Sequence, residues 1–167
     1  MTLRTTIQAA IGAEVSKTAD FAAVKQSIPA HAAIKLANGT GTDEADVIFA
    51  DQRTLNASGN EDLDLTGVLE NALGEAANFA TVKALLIRAA SGNTNDVVVG
   101  PAAANGFTGP FGDDSDRIEI PPGGAFLAAA PNAGWDVTAG TGDLLNVANS
   151  GAGSPVTYDV IIVGTSA

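Results

Sequence analysis

The sequence predicts a mainly-β protein: an antiparallel β-sandwich of jelly-roll type over residues 41–167, preceded by a short helical or extended N-terminal arm over residues 1–40. Three observations predict it. From Asp46 onward, short apolar or alternating stretches are separated by clusters of turn-formers. The clusters are rich in Gly, which accepts positive φ, and in Pro, which fixes φ, so each is a turn signal with a mechanism. The charge also divides near residue 40: four basic against two acidic residues before it, four basic against seventeen acidic after it.

The arm comes first. Leu3, Ile7, Ile11 and Val15 recur every four residues, and Phe21, Val24 and Ile28 continue at spacings of three and four. That spacing predicts an apolar stripe on one face of a helical or partly helical segment over the first 28 residues. Thr2 and Asp20 suit N-caps, Gly12 weakens the first helix by about 1 kcal/mol relative to Ala, and Pro29 ends the second. Helices this short are marginal alone in water, so the stripe must bury itself against the body or another chain. Residues 37–43, Ala-Asn-Gly-Thr-Gly-Thr-Asp, predict a hinge or loop.

Strands are predicted at Asp46–Leu55, Glu61–Val68, Phe79–Ala89, Asp96–Gly100, Arg117–Ile120, Ala125–Ala129, Trp135–Val137, Asp143–Ala148 and Val156–Val163. A helix over residues 65–77, through Leu65, Val68, Leu69 and Leu73, is the alternative for one stretch. The separators include residues 57–60, 91–95, 109–114, 121–124, 131–134 and 149–155. Ile118 and Ile120 alternate with Arg117 and Glu119, the pattern of a half-buried strand. In the last strand Val156, Tyr158, Val160 and Ile162 share one face while Ile161 and Val163 occupy the other. It therefore reads as a central strand, or one covered by a partner chain.

Composition narrows the function classes. The chain has 167 residues, 46% of them hydrophobic, a formal net charge of −11 and no Cys. That length fits one domain with an appendage. Without Cys there are no disulfides, thiol nucleophiles or thiolate zinc sites. The acidic body repels nucleic-acid phosphates and anionic lipids, no apolar run approaches the ~18 residues of a membrane span, and no secretory signal is evident. His31 is the only histidine, so any Ser-His-Asp triad would have to use it, and no nucleophile elbow lies near it. The Gly-rich runs 39–41, 123–124 and 140–142 lack the Lys-Ser/Thr of a phosphate loop.

Two further sites can be named. Of three acidic clusters, Asp43-Glu44-Asp46, Glu61-Asp62-Asp64 and Asp113-Asp114-Asp116, the third offers calcium the best oxygen set, because its loop is Gly-rich and pre-bent. None matches the twelve-residue helix-loop-helix calcium pattern. Trp135 follows a Pro-Asn-Ala-Gly turn and reads as a core plug or, with Phe107, as a ligand-stacking face.

Several segments carry a resemblance: Phe79-Ala-Thr-Val-Lys-Ala-Leu-Leu-Ile-Arg, Asn95-Asp-Val-Val-Val-Gly, the stretch Phe107 to Phe111, and Ile118-Glu-Ile-Pro-Pro-Gly-Gly-Ala-Phe. Thr138-Ala-Gly-Thr-Gly-Asp-Leu-Leu-Asn-Val-Ala-Asn and the closing Tyr-Asp-Val-Ile-Ile-Val-Gly add to it. Together, over residues 45–165, these resemble small β-sandwich structural proteins of tailed bacteriophages and gene-transfer particles. The resemblance implies a virion component, a capsid decoration or head-spike protein or a tail-associated one, assembled in the bacterial host cytoplasm. It implies no catalytic residue and no cofactor. The partners expected are the chain itself, as a homo-oligomer with trimer favoured, and a major capsid or other virion protein. Leu3, Ile7, Ile11, Phe21 and Val24 of the arm are the expected interface. A carbohydrate- or receptor-binding module, using Trp135, Phe107 and the 109–116 loop, is the alternative from another class.

Overall fold

In a computed structural model, residues 2–67 and 69–166 are described. The predicted strand end at Val68, and that residue's place in the alternative helix, fall outside them. Among the described residues there is no helix; residues 65–67 and 69–77 form turns and a bridge between Glu70 and Ala76.

Among the described residues there are eleven strands. The first two, β1 (Thr5–Thr18) and β2 (Ala23–Leu36), form an antiparallel hairpin set apart from the body. The others are β3 (Val47–Leu55), β4 (Asn60–Asp64), β5 (Thr81–Ala89), β6 (Val97–Pro101), β7 (Ile118–Ile120), β8 (Ala125–Ala129), β9 (Trp135–Asp136), β10 (Leu144–Asn149) and β11 (Val156–Thr165). One sheet runs β4-β10-β6-β7. The other runs β3-β11-β5-β8, with short β9 also on β5. All these ladders are antiparallel, and four of them nest: β3 with β11, β4 with β10, β5 with β8, β6 with β7. Nested pairing is what one long hairpin gives when it is rolled into two facing sheets, the jelly roll.

The predicted strands follow the turn signals closely because each body strand has a buried face to fix its register. Leu63, Leu85, Ile87, Val97, Val99, Leu145, Val147, Val160 and Ile162 fill the space between the sheets. Strand β11 is central, as expected from its two apolar faces. Its inward Val156, Tyr158, Val160 and Ile162 are fully buried. At one point β11 and β5 lose register, between Val163 and Gly164, leaving Lys83 as the extra residue of a bulge. Gly164 is required there, because a Cβ would stand 2.0 Å from the Thr81 carbonyl oxygen.

Side chains bridge the two sheets at the edge formed by β3 and β4. Between β3 and β4, Glu61 accepts hydrogen bonds from Arg53 Nε (2.8 Å) and from the Tyr158 hydroxyl (2.9 Å), and Arg53 also pairs with Asp51 (2.9 Å). Burial, reinforced by the Glu61 charge, pushes the Tyr158 hydroxyl pKa up, so it stays a donor. Bonding to Glu61 likewise raises the Arg53 pKa. Near β8, Phe126 stacks against Phe111 with ring centroids 6.2 Å apart.

Of the two forms expected for the arm, helical or extended, the extended one is found and the helical one is not. The arm is extended, and its apolar residues line one face of a hairpin. A spacing of four residues holds a side chain near one helix face, but it also returns to the same face of a strand, where the period is two. Pro29, expected to end a helix, sits inside β2 opposite Gly12. It is tolerated because both strands of a two-stranded ribbon are edges.

Candidate functional site

The arm is the feature that sets this molecule apart from a plain sandwich. Directly opposed residues share a face, so the register places Ile7, Ala9, Ile11, Ala13, Val15 and Lys17 of β1 with Ile34, Ala32, Ala30, Ile28, Gln26 and Val24 of β2, a face that is apolar except for Lys17 and Gln26 near the tip. The other face carries Thr6, Gln8, Glu14, Ser16, Lys25, Ser27, His31 and Lys35, with a Glu14–Lys25 ion pair of 2.8 Å. His31 is thus an exposed residue of the polar face. Every residue from Gln8 to Ala33 is exposed: on the apolar face Ile11 is 75% accessible, Val24 64% and Val15 59%. Phe21, in the four-residue turn between the strands, is wholly exposed. Two-stranded ribbons are marginally stable alone. The exposed Ile11, Val15, Val24 and Ile28 of this face make it the candidate interaction surface.

The root of the arm is fixed. Leu36 is buried, and Leu3, Ile7 and Ile34 pack with it against Ala84 and Val163 on the outer face of the β3-β11-β5-β8 sheet. The Leu3 amide donates to Asn38 Oδ1 (2.7 Å), the Asp43 amide to the Pro131 carbonyl (3.0 Å), and the Asp46 amide to that of Gly164 (3.1 Å). Gly41 donates to Glu44 Oε2 at 2.8 Å, and Gly39 lies so close to the same carboxylate that a Cβ would stand 2.3 Å from it. The predicted hinge at 37–43 is therefore a loop tied to the body.

That outer sheet face has a graded chemistry, read row by row across its four strands. Ile48, Val163, Ala84 and Ala129 form the row under the arm root. The next row, Ala50, Ile161, Leu86 and Leu127, is apolar and partly or wholly accessible. Beyond it lie Gln52, Asp159, Arg88 and Ala125. In this polar row Asp159 accepts from Gln52 and pairs with Arg88, and those bonds hold its carboxyl below the usual range. A recess of about 340 Å³ opens between the arm root and the bare apolar row, lined by Ile7, Ala84, Leu86, Leu127, Ile161 and Val163 among others. The opposite outer face, on the β4-β10-β6-β7 sheet, carries Asp62, Asp64, Asn146 and Glu119.

The structure separates the other predicted site residues. Phe107 is 1% exposed in the main core, so it offers no stacking face. The reading of it as part of a ligand face is corrected: its ring is buried among apolar side chains. Trp135, on β9, is half-buried and packs against the same core. In the 113–116 loop, Asp113 Oδ1 accepts from the Ser115 amide (3.0 Å) and hydroxyl (2.7 Å), which lowers its pKa. Arg117 Nη1 donates to the carbonyls of Asp114 (3.0 Å) and Asp116 (2.7 Å). The carbonyls a cation would use thus face a guanidinium. In the first cluster Glu44 turns to Gly41 and Asp46 takes Ser166; in the second Glu61 turns to Arg53 and Asp62 to Asn146. Among the described residues no three acidic or histidine side chains converge to hold a metal ion.

Sequence reasoning missed the Arg53–Glu61–Tyr158 closure and the bare sheet row. Only the doubly apolar character of β11 hinted at the latter. The fold and its arm define a jelly-roll β-sandwich with an exposed two-stranded hairpin. Comparison with known protein families, with curated proteins and with solved structures finds no match.

Proposed function

We propose that this chain is a structural component of a bacteriophage particle: a capsid-associated decoration or head-spike protein that works by self-association and attachment to the shell, and not an enzyme. The observation that carries the reading is the hairpin arm, apolar along most of one face and exposed from Gln8 to Ala33, rooted on an acidic jelly roll. A protein of this build gains free energy by covering the arm, at roughly 25 cal/mol for each Å² of apolar surface removed from water. Its body supplies charge for solubility. The resemblance of residues 45–165 to phage structural proteins supports the particle assignment, and jelly rolls recur in viral capsid domains, which is an analogy of fold. The partners would be copies of the chain, with a trimer favoured, and a shell protein; the location would be the virion.

The test is fractionation of particles produced from the genome that encodes the chain. The protein should band with particles on a density gradient, and a variant with a shortened arm should stay at the top. Quantitative absence of the native protein from purified particles would refute the assignment.

A further inference from the structure

We propose that the arm of one copy seats on a second copy of this chain, with Phe21 at its tip filling the apolar recess beside that copy's arm root. The inference rests on the self-association part of the function proposed above and specifies its contact.

Four observations favour this occupant over any other. First, knob and hole are both present in one chain. Phe21 is a wholly exposed aromatic at the end of the ribbon, and the recess of about 340 Å³ has Leu86, Leu127 and Ile161 for walls. Second, the chain already shows how this ribbon face packs on this sheet face. At the root, Ile7 and Ile34 lie on Ala84 and Val163, and the recess is the next apolar row of the same surface. Third, the surface left uncovered is long. The exposed part of β1, from Gln8 to Thr18, reaches about 36 Å at about 3.3 Å per residue and carries Ile11 and Val15, with Val24 and Ile28 of β2 on the same face. Fourth, the charge distribution suits it. Two bodies each carrying thirteen net negative charges repel at close range, whereas an arm with four basic and two acidic residues bridges between them. A ribbon of that length also spaces the bodies beyond a Debye length of about 8–10 Å.

The contact is reciprocal in a dimer, where each tip enters the other's recess, and passes round the ring in a trimer. In both, Ile11, Val15, Val24 and Ile28 leave water, and Lys17, on the same face beside the tip, approaches the acidic body of the neighbour.

The test uses the full chain, which has no native Cys to confuse it. Single variants Phe21→Cys and Leu127→Cys are mixed and oxidised. A disulfide-linked dimer containing one of each is expected, in preference to either variant linked to itself. In parallel, light scattering over a concentration series should show native oligomers. Phe21→Ala should weaken the association about 10- to 100-fold, as expected for losing one buried aromatic. An unchanged melting curve for the dissociated chain would show that the body is intact. Native protein that is monomeric at about 100 μM and gives no mixed cross-link overturns the proposal. So does a Phe21→Cys self-link without the mixed product, because the tips then meet each other. Oligomers with the mixed link but no particle association would leave this contact standing and refute the phage assignment; particle association by a strictly monomeric chain would do the reverse.

Discussion

Shortening the arm separates what it does for the body from what it does for assembly. The register pairs Ala9 with Ala32, so residues 10–31 can be replaced by Asn-Gly, a two-residue turn that closes an antiparallel ribbon. No residue removed is buried, and Leu36, Ile34, Ile7 and Leu3 keep their packing on Ala84 and Val163. Surface changes of this kind stay within about 0.5 kcal/mol. For a chain of this size each kcal/mol moves Tm by about 2–4 °C, so the body should melt within about 2 °C of the native protein. Removing residues 1–36 altogether is different. It also strips Leu36, 3% exposed, from its site, at a cost of about 2–5 kcal/mol by analogy with large-to-small core substitutions. Scanning calorimetry at concentrations where the native chain is dissociated is the assay. A fall of more than about 10 °C for the shortened arm, roughly 3 kcal/mol, would mean that the distal ribbon supports the body of its own chain. The claim that it awaits a partner would then be refuted.

Other expectations follow from contacts already described. Glu61→Ala leaves the buried Tyr158 hydroxyl without an acceptor, so it should cost about 1–3 kcal/mol; Tyr158→Phe should cost less, and urea titration of both and of the double variant should show coupling between them. Gly164→Ala drives a methyl against the Thr81 carbonyl and should destabilise by about 1–3 kcal/mol, read by the same titration. The Asp159 pKa is depressed by Gln52 and Arg88, so its stabilisation is present above the unfolded carboxyl value near pH 4 and is lost as pH falls through the lower folded value. Arg88→Ala should therefore destabilise by no more than about 1 kcal/mol at pH 7, Arg88 being largely exposed, and the difference should vanish in acid. Arm amides between Gln8 and Ala33 should exchange rapidly in the dissociated chain and gain protection on self-association, measured by hydrogen exchange.

The sandwich was legible because its punctuation is local. Pro121-Pro-Gly-Gly124 and the turn before Trp135 end strands by backbone chemistry alone, and the predicted limits of β8 match those observed. The arm's sequence leaves helix and strand both open because Ala is neutral in both patterns. Ile7, Ala9, Ile11, Ala13 and Val15 alternate with Thr6, Gln8, Gly12, Glu14 and Ser16, but the alanines blur the two-residue period and leave only the four-residue stride of the larger side chains visible. β-Branched Ile and Val at those positions, with Gly12 among them, are the signal that favours a strand. The recess beside the arm root could not be read at all. It joins Ile7 to Leu86, Leu127 and Ile161, residues brought together only by the rolled pairing of β5, β8 and β11.

The unlike outer faces of the sandwich carry a colloidal consequence. In the proposed assembly each copy would turn its apolar outer face inward and its Asp62, Asp64 and Glu119 side toward the medium. The proposed coat would then be a hydrated, anionic skin. Coated objects repel one another at low ionic strength and tolerate closer approach as added electrolyte shortens the range of that repulsion.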